Sequence, residues 1–194
     1  MRASAIVAAL TAVVLARPAL AEEGDRGEAT AAAHVGVRMP FVGDTEYGDA
    51  LAGYGFGGLS PALVLDGEGG YRVTDYVEVG GSLSYLYCSS GGPIWAVDNA
   101  SIAHHALEPV GFARLVYRDD DLLFGASLEL GTQLLFAAGA GEVDPAGSFI
   151  LRPSILFGAE YLEMRVGYAA ALPGGFDHPR IGGLYGLVGF GGVI

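Results

Sequence analysis

Lysine is absent from this chain of 194 residues, and cysteine occurs once, at Cys88. A single thiol rules out an intrachain disulfide. Ten arginines stand against 22 acidic residues, for a formal charge of −12. No basic patch is available to neutralise phosphates, so nucleic acid is excluded as a partner. After residue 21 no stretch is apolar enough, over the ~20 residues needed, to form a membrane helix. Charged residues make up only 16% of the chain, while hydrophobic ones make up 52%. A soluble protein with that balance would need a large core. A β-barrel in lipid resolves the tension by turning apolar side chains outward.

The stretch Leu122–Ala137 carries the strongest pattern. Phe124, Ala126, Leu128, Leu130, Leu134 and Phe136 fall on one parity; Gly125, Ser127, Glu129, Gly131 and Gln133 fall on the other. A period of two marks a β-strand with one apolar and one polar face. The 32 glycines also favour strands, since each costs ~1 kcal/mol inside a helix. At the N-terminus, Arg2 precedes the apolar run Ala5–Ala16, and Ala19-Leu20-Ala21 matches a small-x-small cleavage pattern. Residues 1–21 are therefore expected to be a cleavable signal peptide and 22–30 a flexible periplasmic lead. Loss of Arg2 and Arg17 with the signal brings the charge to about −14.

Residues 31–194 are expected to form an all-β domain, an eight-stranded antiparallel up-and-down transmembrane β-barrel. The spacing predicts strands over Ala31–Phe41, Tyr54–Leu65, Tyr76–Cys88, Ile102–Tyr117, Leu122–Ala137, Ser148–Gly158, Leu162–Leu172 and Ile181–Val193. The odd connections, Val42–Gly53, Ser89–Ser101, Ala138–Gly147 and Pro173–Arg180, read as outer loops. Among the even ones, Arg118–Asp121 and the residues around Ala159–Tyr161 are short turns. Asp66–Asp75 is longer and is read as an extension of strands two and three into a hairpin. Val79, Leu83 and Tyr87 oppose Glu78, Ser82 and Ser84; Leu162, Met164 and Val166 oppose Glu163 and Arg165; Phe149, Leu151 and Ile155 oppose Arg152 and Ser154; Leu107 and Leu115 oppose Glu108 and Arg114. The last strand is too rich in glycine for its parity to be read. A soluble barrel with inverted faces would carry many more charges on the mixed face than the isolated Glu and Arg found here.

The signal sequence, the eight amphipathic strands and the phrase Arg72-Val-Thr-Asp-Tyr-Val-Glu-Val-Gly80 together resemble the small outer-membrane β-barrel proteins of the OmpA/OmpX type, over about residues 31–194. The chain departs from that family's common pattern in ending Gly-Gly-Val-Ile194 rather than on an aromatic. The resemblance implies the outer membrane of a diderm bacterium. It also implies contact with outer-membrane lipid, lipopolysaccharide and the barrel-assembly machinery.

Functional candidates are few. Glu78, Glu108 and Glu129 are expected to meet Arg38, Arg114, Arg152 and Arg165 inside the barrel, either as structural ion pairs or as the lining of a narrow pore. Ile94 and Trp95, an apolar pair on a polar loop, are candidate partner or lipid contacts; Trp95 also suits the interfacial aromatic belt. His104 and His105 are adjacent on a strand and so point to opposite faces. Asp177-His178 is similar to the Asp-His pair of omptin proteases, and Asp119–Asp121 could offer oxygen ligands to Ca²⁺. None of these completes a catalytic set. The expected protein has no cofactor or resident metal. Its expected role is structural or surface-interactive, with a narrow solute pore and a lipid- or peptide-modifying enzyme as the alternatives.

Overall fold

A computed structural model of the protein describes residues 27–41, 58–91, 101–119, 122–138, 143–159, 161–172 and 181–194. Eight strands follow one another along the chain: β1 (Ala29–Phe41), β2 (Ala62–Arg72), β3 (Val77–Gly91), β4 (Ser101–Asp119), β5 (Leu122–Ala138), β6 (Val143–Ala159), β7 (Leu162–Leu172) and β8 (Gly182–Val193). Each pairs antiparallel with the next, and β8 returns to pair with β1, so the sheet closes without an edge. Closure satisfies the ladder hydrogen bonds all round.

Alternation then sorts the side chains. In β5 the apolar parity is exposed, with Phe124, Leu128 and Leu130 each more than half accessible, while Ser127, Glu129 and Gln133 are buried. The faces read from the sequence for β3, β4, β6 and β7 match the observed ones. In β8, Leu184, Val188 and Phe190 point outward and Tyr185, Leu187 and Gly189 inward. The exterior carries aromatics in two belts. Near the end where β1 begins beside the end of β8, here called the lower end, Tyr117, Phe124 and Phe157 are cross-strand neighbours. Near the upper end, Tyr87, His105 and Phe136 form the corresponding row. Leu, Val, Ile and Met occupy much of the surface between them.

The second strand differs from its expected position. It runs Ala62–Arg72 rather than Tyr54–Leu65, and residues 54–57 lie outside the described set. Asp66-Gly-Glu-Gly-Gly resembles a turn, but its acids point inward and two of its glycines, Gly67 and Gly69, point outward in the ladder with β3. The turn itself is 73–76, where the Thr74 hydroxyl accepts from the backbone of Tyr76 and Val77 at 3.3 and 3.0 Å. Other strands are longer than expected: β3 continues to Gly91 and β6 begins at Val143, which shortens two upper connections to 92–100 and 139–142. Residues 1–26, which take in the expected signal and most of the expected lead, and Ile94, Trp95, Asp120, Asp121, Asp177 and His178 lie outside the described residues.

Candidate functional site: the charged lumen

Inward-facing residues fill the barrel in two zones. The upper zone is mainly apolar: Ala62, Val64, Leu86, Cys88, Ala106, Leu135, Ile150, Ala169 and Ile181 pack together, with Ser90, His104 and Ser148 also buried there. The lower zone holds the charges. Seven of the eight strands contribute to it, because each places a charged residue on its inward parity.

The ion pairs form one connected chain. At the lower rim Arg118 reaches Glu78 at 3.4 Å, and Arg114 lies 3.6 Å from the same carboxylate. Thr30 donates to Glu78 at 2.7 Å. Arg114 grips Glu68 with both terminal nitrogens. Glu68 also accepts from Arg165 at 2.8 Å, and Arg165 in turn donates to Glu129 at 2.8 Å and to Glu163 at 2.9 Å. Glu129 pairs with Arg152, which continues to Glu108 at 3.0 Å. Arg38 closes the chain with two bonds to Glu108, of 2.5 and 2.7 Å. Gln133 seals the top by donating to Glu108 and to the Ile181 carbonyl while accepting from the Ile181 amide.

Bidentate guanidinium–carboxylate pairs of this kind supply geometry as well as charge balance. Burying them costs desolvation, which the mutual attraction offsets only when the remaining hydrogen-bonding groups are also matched. The neighbouring hydroxyls help here. Arg152 donates to Ser84 at 2.7 Å and to Ser82 at 3.1 Å, and Ser84 donates to Asp66. Apolar neighbours wedge the network. The Arg114 guanidinium lies 3.9 Å from the Phe112 ring centroid, and the Phe112 ring covers Gly70 and Gly80. A Cβ at Gly80 would come within 2.5 Å of that ring, so glycine is needed there.

All six lumen residues singled out from the sequence are therefore buried and linked: Glu78, Glu108, Arg114, Glu129, Arg152 and Arg165. Glu129 meets Arg152 and Arg165 rather than Arg114. The sequence reading missed Asp66 and Glu68, because β2 was displaced. It also left out His34, which belongs to no charge pattern, and placed Gln133 on the polar face without giving it a partner. Glu163 was placed on the right face but not counted as a pairing group. Below the network a cavity of about 360 Å³ opens at the lower end, and its lining reaches inward to Glu68, Arg114 and Glu163. Cys88 is buried in the upper zone. His104 is buried, and His105 faces outward with Nδ1 at 2.6 Å from the Tyr85 hydroxyl.

No protein-family model and no curated protein matches the chain. Solved structures do. Ail, the attachment invasion locus protein of Yersinia pestis, was solved in complex with the heparin analogue sucrose octasulfate. That structure is similar over 86% of this chain and 99% of its own, at 11% identity and a TM-score of 0.52. The chain shares the fold of that protein. A second structure of Ail covers the same shares at 11% identity, with a TM-score of 0.46.

Proposed function

We propose that this protein is an outer-membrane β-barrel of a diderm bacterium with a structural or surface-interaction role, non-enzymatic, and with a lumen closed to solutes. The observation that carries the reading is the inverted polarity of the barrel: apolar residues between two aromatic belts outside, ion pairs inside. An 11-residue strand such as β7 rises about 36 Å and, at a tilt near 45°, spans about 25 Å, the height of an outer-membrane apolar band. The pore alternative is disfavoured by the continuous chain from Arg118 to Arg38 and by the apolar zone above it.

Surface contact would fall to the upper connections. Ail is seen with a sulfated sugar, but the segments 42–57, 92–100, 139–142 and 173–180 of this chain carry Asp44, Glu46, Asp49, Asp98, Glu142 and Asp177 against the single Arg180. Like charge opposes a polyanion there, so the partner suited to this surface is neutral or cationic. Reconstitution into planar bilayers tests the closed lumen: the expected result is no steady conductance, and porin-sized steps would sink the reading. Passage over immobilised heparin tests the surface, with no retention expected at physiological salt.

A further inference from the structure

His34 is a buried titratable side chain in the lumen that the arginine network does not hold. It is fully enclosed, with Nδ1 3.5 Å from Asp66 Oδ2 and Nε2 3.4 Å from Glu163 Oε1. Neither ring nitrogen makes a hydrogen bond, and neither does Asp66 Oδ2. The barrel keeps space for the ring: a Cβ at Gly189 would lie 2.5 Å from His34 Cδ2. His34, Glu68 and Glu163 are all buried and bring one ligand atom each to within 4.8 Å of one another.

A neutral imidazole has one N–H and one lone pair. With Nδ1–H turned toward Asp66, the Nε2 lone pair faces Glu163 Oε1, which Arg165 also bonds, and either a second proton or a metal ion at Nε2 relieves that contact between acceptors. A tetrahedral ion with bonds of about 2.0–2.1 Å to N and O separates its ligand atoms by about 3.4 Å. That edge matches the Nε2–Oε1 distance of 3.4 Å. The contact from Asp66 to the far nitrogen is the carboxylate–histidine arrangement that fixes a metal-binding tautomer. The lower cavity, lined by Glu68 and Glu163, supplies a path in.

We propose that His34, Glu68 and Glu163 form a lumen site for one divalent transition-metal ion of the zinc class, with Asp66 orienting His34. The site lies outside the structural and surface roles argued above and does not depend on them. Arg165 competes for the same oxygens, at 2.8 Å from Glu68 and 2.9 Å from Glu163. On metal binding it keeps its bond to Glu129 through the other terminal nitrogen. The affinity is accordingly lower than that of a dedicated structural zinc site.

The test uses chelator-treated, folded barrel in detergent micelles, titrated with Zn²⁺ and separately with Co²⁺. One ion per chain is expected, with the intense visible bands of four-coordinate Co²⁺. His34→Gln and Glu163→Gln should each weaken binding by about 10-fold or more, and Asp66→Asn by about 10- to 100-fold. Heat-modified gel mobility checks that each variant is folded. Where a variant fails to fold, the His34 ring ¹⁵N resonances of the unaltered protein decide, since Nε2 must shift on Zn²⁺ addition. Three results overturn the proposal: no stoichiometric ion and no ¹⁵N shift, which leaves a proton alone on His34; a stoichiometric ion that survives His34→Gln; or a six-coordinate Co²⁺ spectrum, which places the ion on carboxylates elsewhere.

Discussion

The lower zone of the lumen is filled chiefly by guanidiniums and carboxylates; the upper zone holds Val64, Leu86, Cys88, Ala106, Leu135 and Ile150. The two zones solve one packing problem differently. The ladder already satisfies the backbone, so the lumen side chains are free to be polar or apolar provided that the space is filled. In the lower zone most charges depend on more than one partner, with Arg165 alone serving Glu68, Glu129 and Glu163. In the upper zone each aliphatic side chain contributes its own burial and little else. The lower zone is therefore specific and brittle, and the upper zone is tolerant. The brittle zone is also the one next to the cavity.

The largest expected effect comes from breaking the lower zone. Arg165→Ala leaves three carboxylates without their shared cation, and removing one partner of a buried pair typically costs about 3–5 kcal/mol. Urea unfolding followed by the mobility shift of the folded barrel should show a loss in this range. A loss below about 1 kcal/mol, the range of an exposed pair, would mean that the network is hydrated and that the contrast between the zones is overstated.

The same side chain placed on the opposite face of a strand should also be costly. Leu128→Arg puts a guanidinium on the exterior beside Glu129, and arginine near the bilayer midplane of such a barrel costs about 2–4 kcal/mol. Ser127, its inward neighbour, faces the network, and Ser127→Arg is expected to insert better than Leu128→Arg. Equal insertion of the two variants into lipid vesicles would show that inside and outside do not differ as argued.

Much of this was legible because alternation survives in β3 to β7: Glu78, Glu108, Arg114, Glu129, Arg152 and Arg165 could each be assigned to the inner face from their neighbours. Which charge meets which was not legible. Arg38 on β1 bonds Glu108 on β4, and Arg165 on β7 bonds Glu68 on β2. Those contacts cross the lumen between strands that do not pair, so they depend on tilt and closure rather than on local sequence. β2 was misplaced for a physical reason as well. Glycine on an outward face and acid on an inward one imitate a turn when the strand is read as if water lay outside. His34 carries no charge pattern and became visible only through its two carboxylate neighbours.

In the tolerant zone the expected effect is smaller. Ile150→Val removes one buried methylene and should cost about 0.5–1.5 kcal/mol, measured by the same urea titration. Its folded state should remain non-conducting, since the network below is untouched. A loss comparable to that of Arg165→Ala would contradict the description of the upper zone as a set of independent contributions.

The smallest perturbation leaves stability untouched and asks whether the upper zone is dry. Cys88 is the only thiol in the chain and is buried there, 1% exposed. A membrane-impermeant maleimide added to the folded barrel is expected to leave it unmodified, and unfolding in urea should expose it. In a Cys88→Ser background, Thr30→Cys places a thiol in the lining of the lower cavity and should react in the folded state. Thr30 also bonds Glu78, so folding of this variant is checked first by gel mobility. Reaction at Cys88 in the folded barrel at a rate near that of the Thr30→Cys thiol would mean that water reaches the upper zone. The apolar zone would then be no plug, and the closed-lumen reading would fall with it.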